Sequence, residues 1–85
     1  MSGEDLPILP GFREMAQRRR ELLAQLVAHR QASGLSQAEV AERMGTSQPA
    51  VARLEGGTVD IRLSTLERYA AAIGRRIELR LEDGR

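Results

Sequence analysis

The sequence contains no cysteine and no tryptophan, and its aromatic residues are one phenylalanine and one tyrosine. Without cysteine, neither disulfide bonds nor cysteine-ligated metal can stabilise the chain. Its 85 residues are enough for one small domain, which buries a modest share of its surface and is therefore only marginally stable. Stability must come from well-capped helices and from association with a second copy.

Lysine is absent too, since all 13 basic residues are arginine, and the net charge is only +1. Residues 35–74 carry four arginines against five acidic residues. Nucleic-acid-binding domains often have a strongly basic surface, so bulk charge does not favour that function here. Because the chain has no apolar run of about 18 residues, and its acidic N-terminus lacks the apolar core of a secretory signal, we predict a cytoplasmic protein without membrane contact.

Turn-forming residues divide the chain. Residues 1–11 contain two prolines and two glycines without periodicity, and we predict a flexible arm there. A helical pattern follows from Phe12 to Ser33, and Gly34 is expected to close that helix in a left-handed conformation. Its apolar stripe is interrupted by Arg18–Arg20, which we interpret as a solvated helix face. The stripe consists of Met15, Leu22, Leu23, Leu26 and Val27.

Two capping boxes predict where later helices begin, because in each a serine accepts from backbone amides while a glutamate bonds back. Ser36–Glu39 opens a helix ending at Gly45, and Ser64–Glu67 opens one ending at Gly74. Between them, Ser47 is expected to cap a helix that runs to about Glu55 and stops at Gly56 and Gly57, and a loop is expected over Thr58–Leu63. The predicted core of these helices is Val40, Ala41, Met44, Val51, Leu54, Leu66, Tyr69, Ala70 and Ile73.

The segment from Gln37 to Leu54 joins two short helices through a tight turn at Gly45. Small Ala41 lets the second helix cross closely over the first, and Val51 fixes the second helix in the core. Glycine supplies the positive φ that the turn requires. These are the physical requirements of a helix-turn-helix.

The run LSQAEVAERMGTSQPAVARLEGG resembles the helix-turn-helix domains of the phage-repressor and Cro superfamily, the XRE-type regulators. The resemblance covers roughly residues 20–74. It implies an all-α, lambda-repressor-like bundle of four to five helices, with the second helix of the pair in the DNA major groove. On this basis residues 12–74 form the DNA-binding domain. The ending resembles that of HipB- and HigA-type antitoxin repressors, in which a C-terminal strand pairs across the dimer.

The N-terminus of such a second helix faces base edges, while flanking amides and hydroxyls hold phosphates. Gln48 has the side chain that bonds adenine bidentately, and Pro49 and Ala50 offer apolar contact to a thymine methyl group. Arg53 is predicted to contact guanine or phosphate, and the alternative for it and for Arg62 is a solvated surface charge. The predicted phosphate contacts are Gln37, Thr46, Ser47, Arg62, Ser64 and Thr65.

Residues 77–82 alternate between apolar and charged, which is the period of a half-buried strand. A single strand needs a partner, and one recognition helix contacts too few base pairs for useful specificity, so we predict a homodimer on a palindromic operator. An antiparallel register centred on Leu79 pairs Ile77 with the partner's Leu81 and Glu78 with the partner's Arg80. Residues 75–85 are thus interpreted as a dimerisation strand and tail.

The sequence shows no nucleophile beside a base, no glycine-rich phosphate loop and no metal-ligand cluster, which predicts no enzyme, no metal site and no cofactor. His29 stands alone and is interpreted as a surface residue. The favoured function is a DNA-binding repressor that is also the antitoxin of a toxin–antitoxin pair, with residues 1–20 and the C-terminal region as candidate toxin contacts. The alternatives are a stand-alone regulator without a toxin and a protein-binding helix-turn-helix module.

Overall fold

A computed structural model describes residues 12–57, 60–78 and 80–81. Within these ranges the chain forms the predicted helical bundle, and the predicted C-terminal strand is not formed. The expected arm over residues 1–11 lies outside the described residues. The four helices are α1 (Phe12–Ala32), α2 (Gln37–Met44), α3 (Gln48–Gly56) and α4 (Leu63–Ala72). α2 and α3 form the most closely packed pair, and α1 and α4 pack around it.

The ends of α1 and α2 follow the local sequence signals. Gly34 has φ 75°. Its amide donates to Gln31 O at 3.1 Å, and the next amide, that of Leu35, donates to Arg30 O at 3.2 Å. The first capping box is confirmed, because Glu39 N donates to Ser36 Oγ at 3.0 Å and Ser36 N donates to Glu39 Oε1 at 2.8 Å. The backbone hydrogen bond from Ser36 also lowers the pKa of Glu39.

The prediction of a second capping box at Ser64–Glu67 is wrong. α4 begins at Leu63, and its N-cap residue is Arg62, which makes no side-chain capping bond. The amides of Thr65 and Leu66 instead donate to Arg62 O at 3.0 and 3.1 Å. The physical reason lies just before the helix, where Ile61 is buried and anchors the connection in the core, so that α4 starts before Ser64.

The core lies between all four helices and contains every residue predicted for α2, α3 and α4. From α1 it takes Leu23 and Leu26, while Leu22 and Val27 are partly buried against it. Met15 belongs to the same stripe but is 50% exposed. Ile61 and Ala72 are additional core residues that the sequence pattern did not predict.

The C-terminal segment forms neither helix nor strand over its described residues, 75–78 and 80–81. Ile77 is partly buried against the core, whereas Leu81 is fully exposed. Arg76 Nη2 lies 3.8 Å from Glu78 Oε2 of the same chain. Because a strand requires a neighbouring strand for its hydrogen bonds, one chain by itself does not test the predicted pairing, and Leu79 lies outside the described residues.

Candidate nucleic-acid interface

The turn between α2 and α3 gives the interface its shape. Gly45 adopts φ 71° and ψ 34°, a left-handed conformation. The amide of the following Thr46 returns to Ala41 O at 2.9 Å, which closes the end of α2. A Cβ at position 45 would meet no atom within 4 Å, so the backbone conformation rather than space requires glycine there. The turn leaves Thr46 exposed beside the start of α3.

The first turn of α3 is held by a side-chain cap. Ser47 Oγ accepts from Ala50 N at 3.2 Å, as the sequence predicted. Pro49 fits here because the amide of a first-turn residue has no helical partner to lose. Gln48 and Pro49 are exposed, and Ala50 is half-buried. The N-terminus of α3 thus presents one polar and two apolar side chains, with the positive end of the helix dipole behind them.

Two glutamines from the two helices of the pair bond to each other at this end. Gln48 Nε2 donates to Gln37 Oε1 at 2.6 Å. A glutamine amide has two N–H donors and a carbonyl acceptor, and this contact uses one donor. One donor and the acceptor are left, which is the combination that adenine N7 and N6 require. The structure therefore brings both predicted glutamines together in one recognition surface.

Behind the glutamine pair, a carboxylate anchors Gln37. Gln37 Nε2 donates to Glu55 Oε1 at 2.8 Å. The other partners of Glu55 are Arg30, whose Nε and Nη2 donate at 2.7 and 3.1 Å, and Tyr69, whose hydroxyl donates at 2.5 Å. Arg30 also donates through Nη1 to Leu35 O at 2.8 Å. We call Arg30, Gln37, Glu55 and Tyr69 the anchor cluster, and it joins all four helices.

The anchor cluster was missed by the sequence reasoning, which interpreted Tyr69 as packing alone. Its side chains are separated from Glu55 by 25, 18 and 14 positions, so no local spacing marks them. One signal was available, because a tyrosine at a buried helix position needs a partner for its hydroxyl. The side chains of Arg30 and Glu55 are only 11% and 7% exposed, which separates this ion pair from ordinary surface pairs.

The charge states of the anchor cluster follow from these contacts. Burial alone would raise the pKa of Glu55, but hydrogen bonds from Arg30, Tyr69 and Gln37 outweigh it and hold that pKa below its ordinary value. The hydrogen bond to Glu55 raises the pKa of Arg30. Burial, followed by the bond to Glu55, raises the pKa of Tyr69. The cluster therefore stays as carboxylate, guanidinium and neutral phenol at neutral pH.

The remaining predicted residues flank this surface. Thr65, at the start of α4, lines a groove together with Thr46 and Ala50. Arg53, Arg62 and Ser64 are exposed. The groove brings the start of α4 next to the turn before α3, so that Thr65 lies near Thr46.

Two further arginines stabilise the frame of the interface and were not predicted. Arg68, on α4, donates to Met44 O at the end of α2 at 2.6 Å. Arg43, on α2, donates to Ala72 O at the end of α4 at 2.8 Å. Each helix thus supplies the cation for the last carbonyls of the other, where positive charge is favourable. This exchange fixes α2 against α4.

Among the described residues, no group of three or more histidine, aspartate or glutamate side chains is placed to hold a metal ion. None of the described helices has the length and apolarity that crossing a membrane requires.

Comparison with known proteins matches the chain to one family model and to two curated relatives. A family model described as helix-turn-helix matches residues 26–79, which include the glutamine pair, the anchor cluster and the start of α4. The chain is 46% identical over 76 residues to a protein named Antitoxin HigA1 from Mycobacterium tuberculosis strain CDC 1551 / Oshkosh. The same identity holds for the protein of that name from strain ATCC 25618 / H37Rv. Each alignment covers 89% of this chain and 51% of the relative, so the chain spans about half the length of the curated relatives it matches. No solved structure matches the chain.

Proposed function

The chain belongs to the helix-turn-helix family of XRE-type regulators, and we propose on this premise that it is a sequence-specific DNA-binding repressor that acts as a homodimer on a palindromic operator. The observation that carries the proposal is the Gln48–Gln37 hydrogen bond at the exposed N-terminus of α3. It holds the amide of Gln48 at an exposed position and leaves one donor and the acceptor of that amide available to DNA.

The proposed DNA contacts follow from the geometry of the interface. Gln48 bonds adenine, Pro49 and Ala50 contact a thymine methyl group, and Arg53 bonds guanine or phosphate. Phosphates are held on both sides of the major groove by amides, hydroxyls and cations. The residues proposed for these phosphate contacts are Gln37, Thr46, Ser47, Arg62, Ser64 and Thr65.

The test is a gel shift with the duplex from upstream of the gene, against an unrelated duplex of equal length at the same stated salt concentration. We expect binding to the upstream duplex that survives excess competitor. Equal, salt-sensitive binding to both duplexes would contradict sequence-specific repression at this promoter, because contacts to phosphate alone carry no sequence information.

The homodimer is proposed to form through the C-terminal segment, in the antiparallel register centred on Leu79. Its interface residues are Ile77, Glu78, Leu79, Arg80 and Leu81. The support lies in Leu81, a large apolar side chain that is fully exposed in the described part of the single chain and would gain burial in a dimer.

Leu81→Asp tests the dimer without disturbing the core of the described helices, because the Leu81 side chain is fully exposed. We expect light scattering to give the dimer mass for the unsubstituted chain and the monomer mass for the variant. Met15→Asp is the matched control, since Met15 is the other exposed large apolar residue in the described part of the chain. A dimer mass for Leu81→Asp would remove the C-terminal segment from the interface.

We further propose that this regulator is the antitoxin of a toxin–antitoxin pair and acts in the cytoplasm. The support is the 46% identity to two proteins named as antitoxins. The test is to express the neighbouring gene alone and together with this chain. Growth arrest by the neighbour alone, relieved by co-expression, is the expected result. A harmless neighbour would favour a stand-alone regulator.

A further inference from the structure

The first half of α1 carries a concentration of positive charge that the proposed interface does not use. Residues 12–20 contain four arginines and one acidic residue, whereas residues 35–74 contain more acidic residues than arginines. None of residues 13–20 is buried, so packing does not explain the arginines in this segment. Arg18, Arg19 and Arg20 stand in succession at its end.

Two of these arginines adjoin the connection between α3 and α4. Arg19 Nη2 lies 3.7 Å from Asp60 Oδ1, and the side chain of Asp60 is 94% exposed. Arg20 lines, with Gly56 and Gly57 at the end of α3, a shallow groove between α1 and α3. Both side chains therefore lie beside the stretch of chain that leads from the recognition helix into Arg62.

Arg18 lies elsewhere on the helix. Successive residues on an α-helix are about 100° apart, so residues two apart point to nearly opposite sides. Arg18 is exposed on the side of α1 away from Arg20. The three consecutive arginines thus separate into two that face the α3–α4 connection and one that does not.

An exposed carboxylate next to proposed phosphate contacts repels DNA, and Asp60 is two positions before Arg62. The nearby guanidinium of Arg19 offsets that charge, and Arg20 adds a cation on the same side. A surface ion pair of this length contributes little to folding stability, so stability does not account for it. Its effect on the local electrostatic potential does not depend on a strong bond.

We infer that Arg19 and Arg20 extend the DNA interface, and that they contact backbone phosphates on the flank next to the α3–α4 connection. This inference rests on the proposed function. The contacts are independent of base sequence, and they supply the positive charge that residues 35–74 lack.

The experiment measures the affinity of the full-length chain by fluorescence anisotropy for a labelled duplex of unrelated sequence and for the upstream duplex, between about 50 and 200 mM NaCl. The slope of log K against log salt is negative, and each lost phosphate contact makes it shallower by about 0.9. At 0.1 M salt this change is equivalent to about eightfold weaker binding. We expect this change for Arg19→Gln and for Arg20→Gln, on both duplexes alike. The matched control, Arg18→Gln, removes the same charge from the other side of α1 and should leave the slope unchanged.

Asp60→Asn gives a test of opposite sign. It removes the carboxylate beside Arg19 without changing the number of arginines, so it should tighten binding to both duplexes. Thermal unfolding of each variant checks that the fold is intact, which is expected because all four side chains lie outside the core.

The outcomes separate this inference from the proposed function. If the unsubstituted chain binds DNA but Arg19→Gln and Arg20→Gln keep its slope, the inference fails and the proposed function stands. If all three arginine variants make the slope shallower by the same amount, the effect is one of net charge and the inference also fails. If the unsubstituted chain binds neither duplex, both fail.

Discussion

Glu55 accepts hydrogen bonds from Arg30, Tyr69 and Gln37, so Glu55→Gln should be one of the most destabilising single substitutions in the chain. Glutamine keeps the size of the side chain but removes the charge. Arg30, only 11% exposed, then stays buried without its counterion. Removing one partner of a buried ion pair costs about 3–5 kcal/mol. Since glutamine keeps one acceptor oxygen, we expect the lower end, about 3 kcal/mol.

That loss is a large part of the total. A domain of this size has a free energy of unfolding of about 4 to 13 kcal/mol. Each kcal/mol lowers the melting temperature by about 4–8 °C, so Glu55→Gln should lower it by about 12 to 24 °C. Circular dichroism at about 222 nm, which reports helix content, measures the melting temperature of these helices, and urea unfolding measures the free energy of unfolding.

Two further variants isolate the cause. Glu42→Gln removes an exposed carboxylate from α2 and should change stability by no more than about 0.5 kcal/mol. Combining Arg30→Met with Glu55→Gln should recover part of the loss, because no uncompensated charge is then buried. Two results would show that the buried ion pair does not stabilise this fold. One is a Glu55→Gln variant that is as stable as Glu42→Gln. The other is a double variant that is less stable than Glu55→Gln by the full cost of substituting Arg30.

The same substitution predicts a pH dependence. The pKa of Glu55 in the folded chain lies below its ordinary value of 4.5. A carboxylate with a lowered pKa adds stability above the pKa of the unfolded chain and loses that contribution as the pH falls through the folded value. The difference between the unsubstituted chain and Glu55→Gln should therefore be constant near neutral pH and shrink below about pH 4.5. A constant difference in the urea midpoint down to about pH 3 would contradict this assignment.

Three other substitutions test the recognition helix, the turn and the capping. Gln48→Ala should cost about 1–3 kcal/mol of binding and relax specificity at one base pair, measured by competition with single-base variants of the bound duplex. Equal loss on every duplex would show that Gln48 contacts no base. Gly45→Ala should lower the free energy of unfolding by about 1–2 kcal/mol through backbone strain alone, and an unchanged urea midpoint would rule out the left-handed turn. Ser36→Ala should cost about 1 kcal/mol, while Ser64→Ala should cost little, because Ser64 does not cap α4; equal effects would restore the second capping box.

Local signals predicted most helix ends because the forces that set them act between neighbours in sequence. Gly34 and Gly45 end their helices through their own backbone freedom, and the Ser36 capping box needs only residues three apart. The start of α4 was missed for the opposite reason. The Ser64–Glu67 pattern satisfies the capping rule, but burial of Ile61 decides where the helix begins, and that burial depends on helices far away in sequence.

The candidate site was also predicted in part, from local sequence, and missed in part, where residues distant in sequence meet. Gln37 and Gln48 were identified from their places in the motif, and the structure joins them by a hydrogen bond. The carboxylate behind them was not identified, since Arg30 and Glu55 are 25 positions apart and meet only after α1 packs against α3. A motif specifies which residues face outward, whereas the packed core determines what holds them.

The anchor cluster connects folding to recognition. A glutamine or glutamate side chain loses about 1.5–2 kcal/mol of rotamer freedom when it becomes fixed. Gln37 has lost that freedom before DNA arrives, because Glu55 holds its amide nitrogen and thereby turns its oxygen toward Gln48. Glu55 is fixed in turn by Arg30 and by the fully buried Tyr69. Folding therefore already fixes the side chain that orients the proposed base-contacting amide. Less side-chain entropy is then lost when DNA binds.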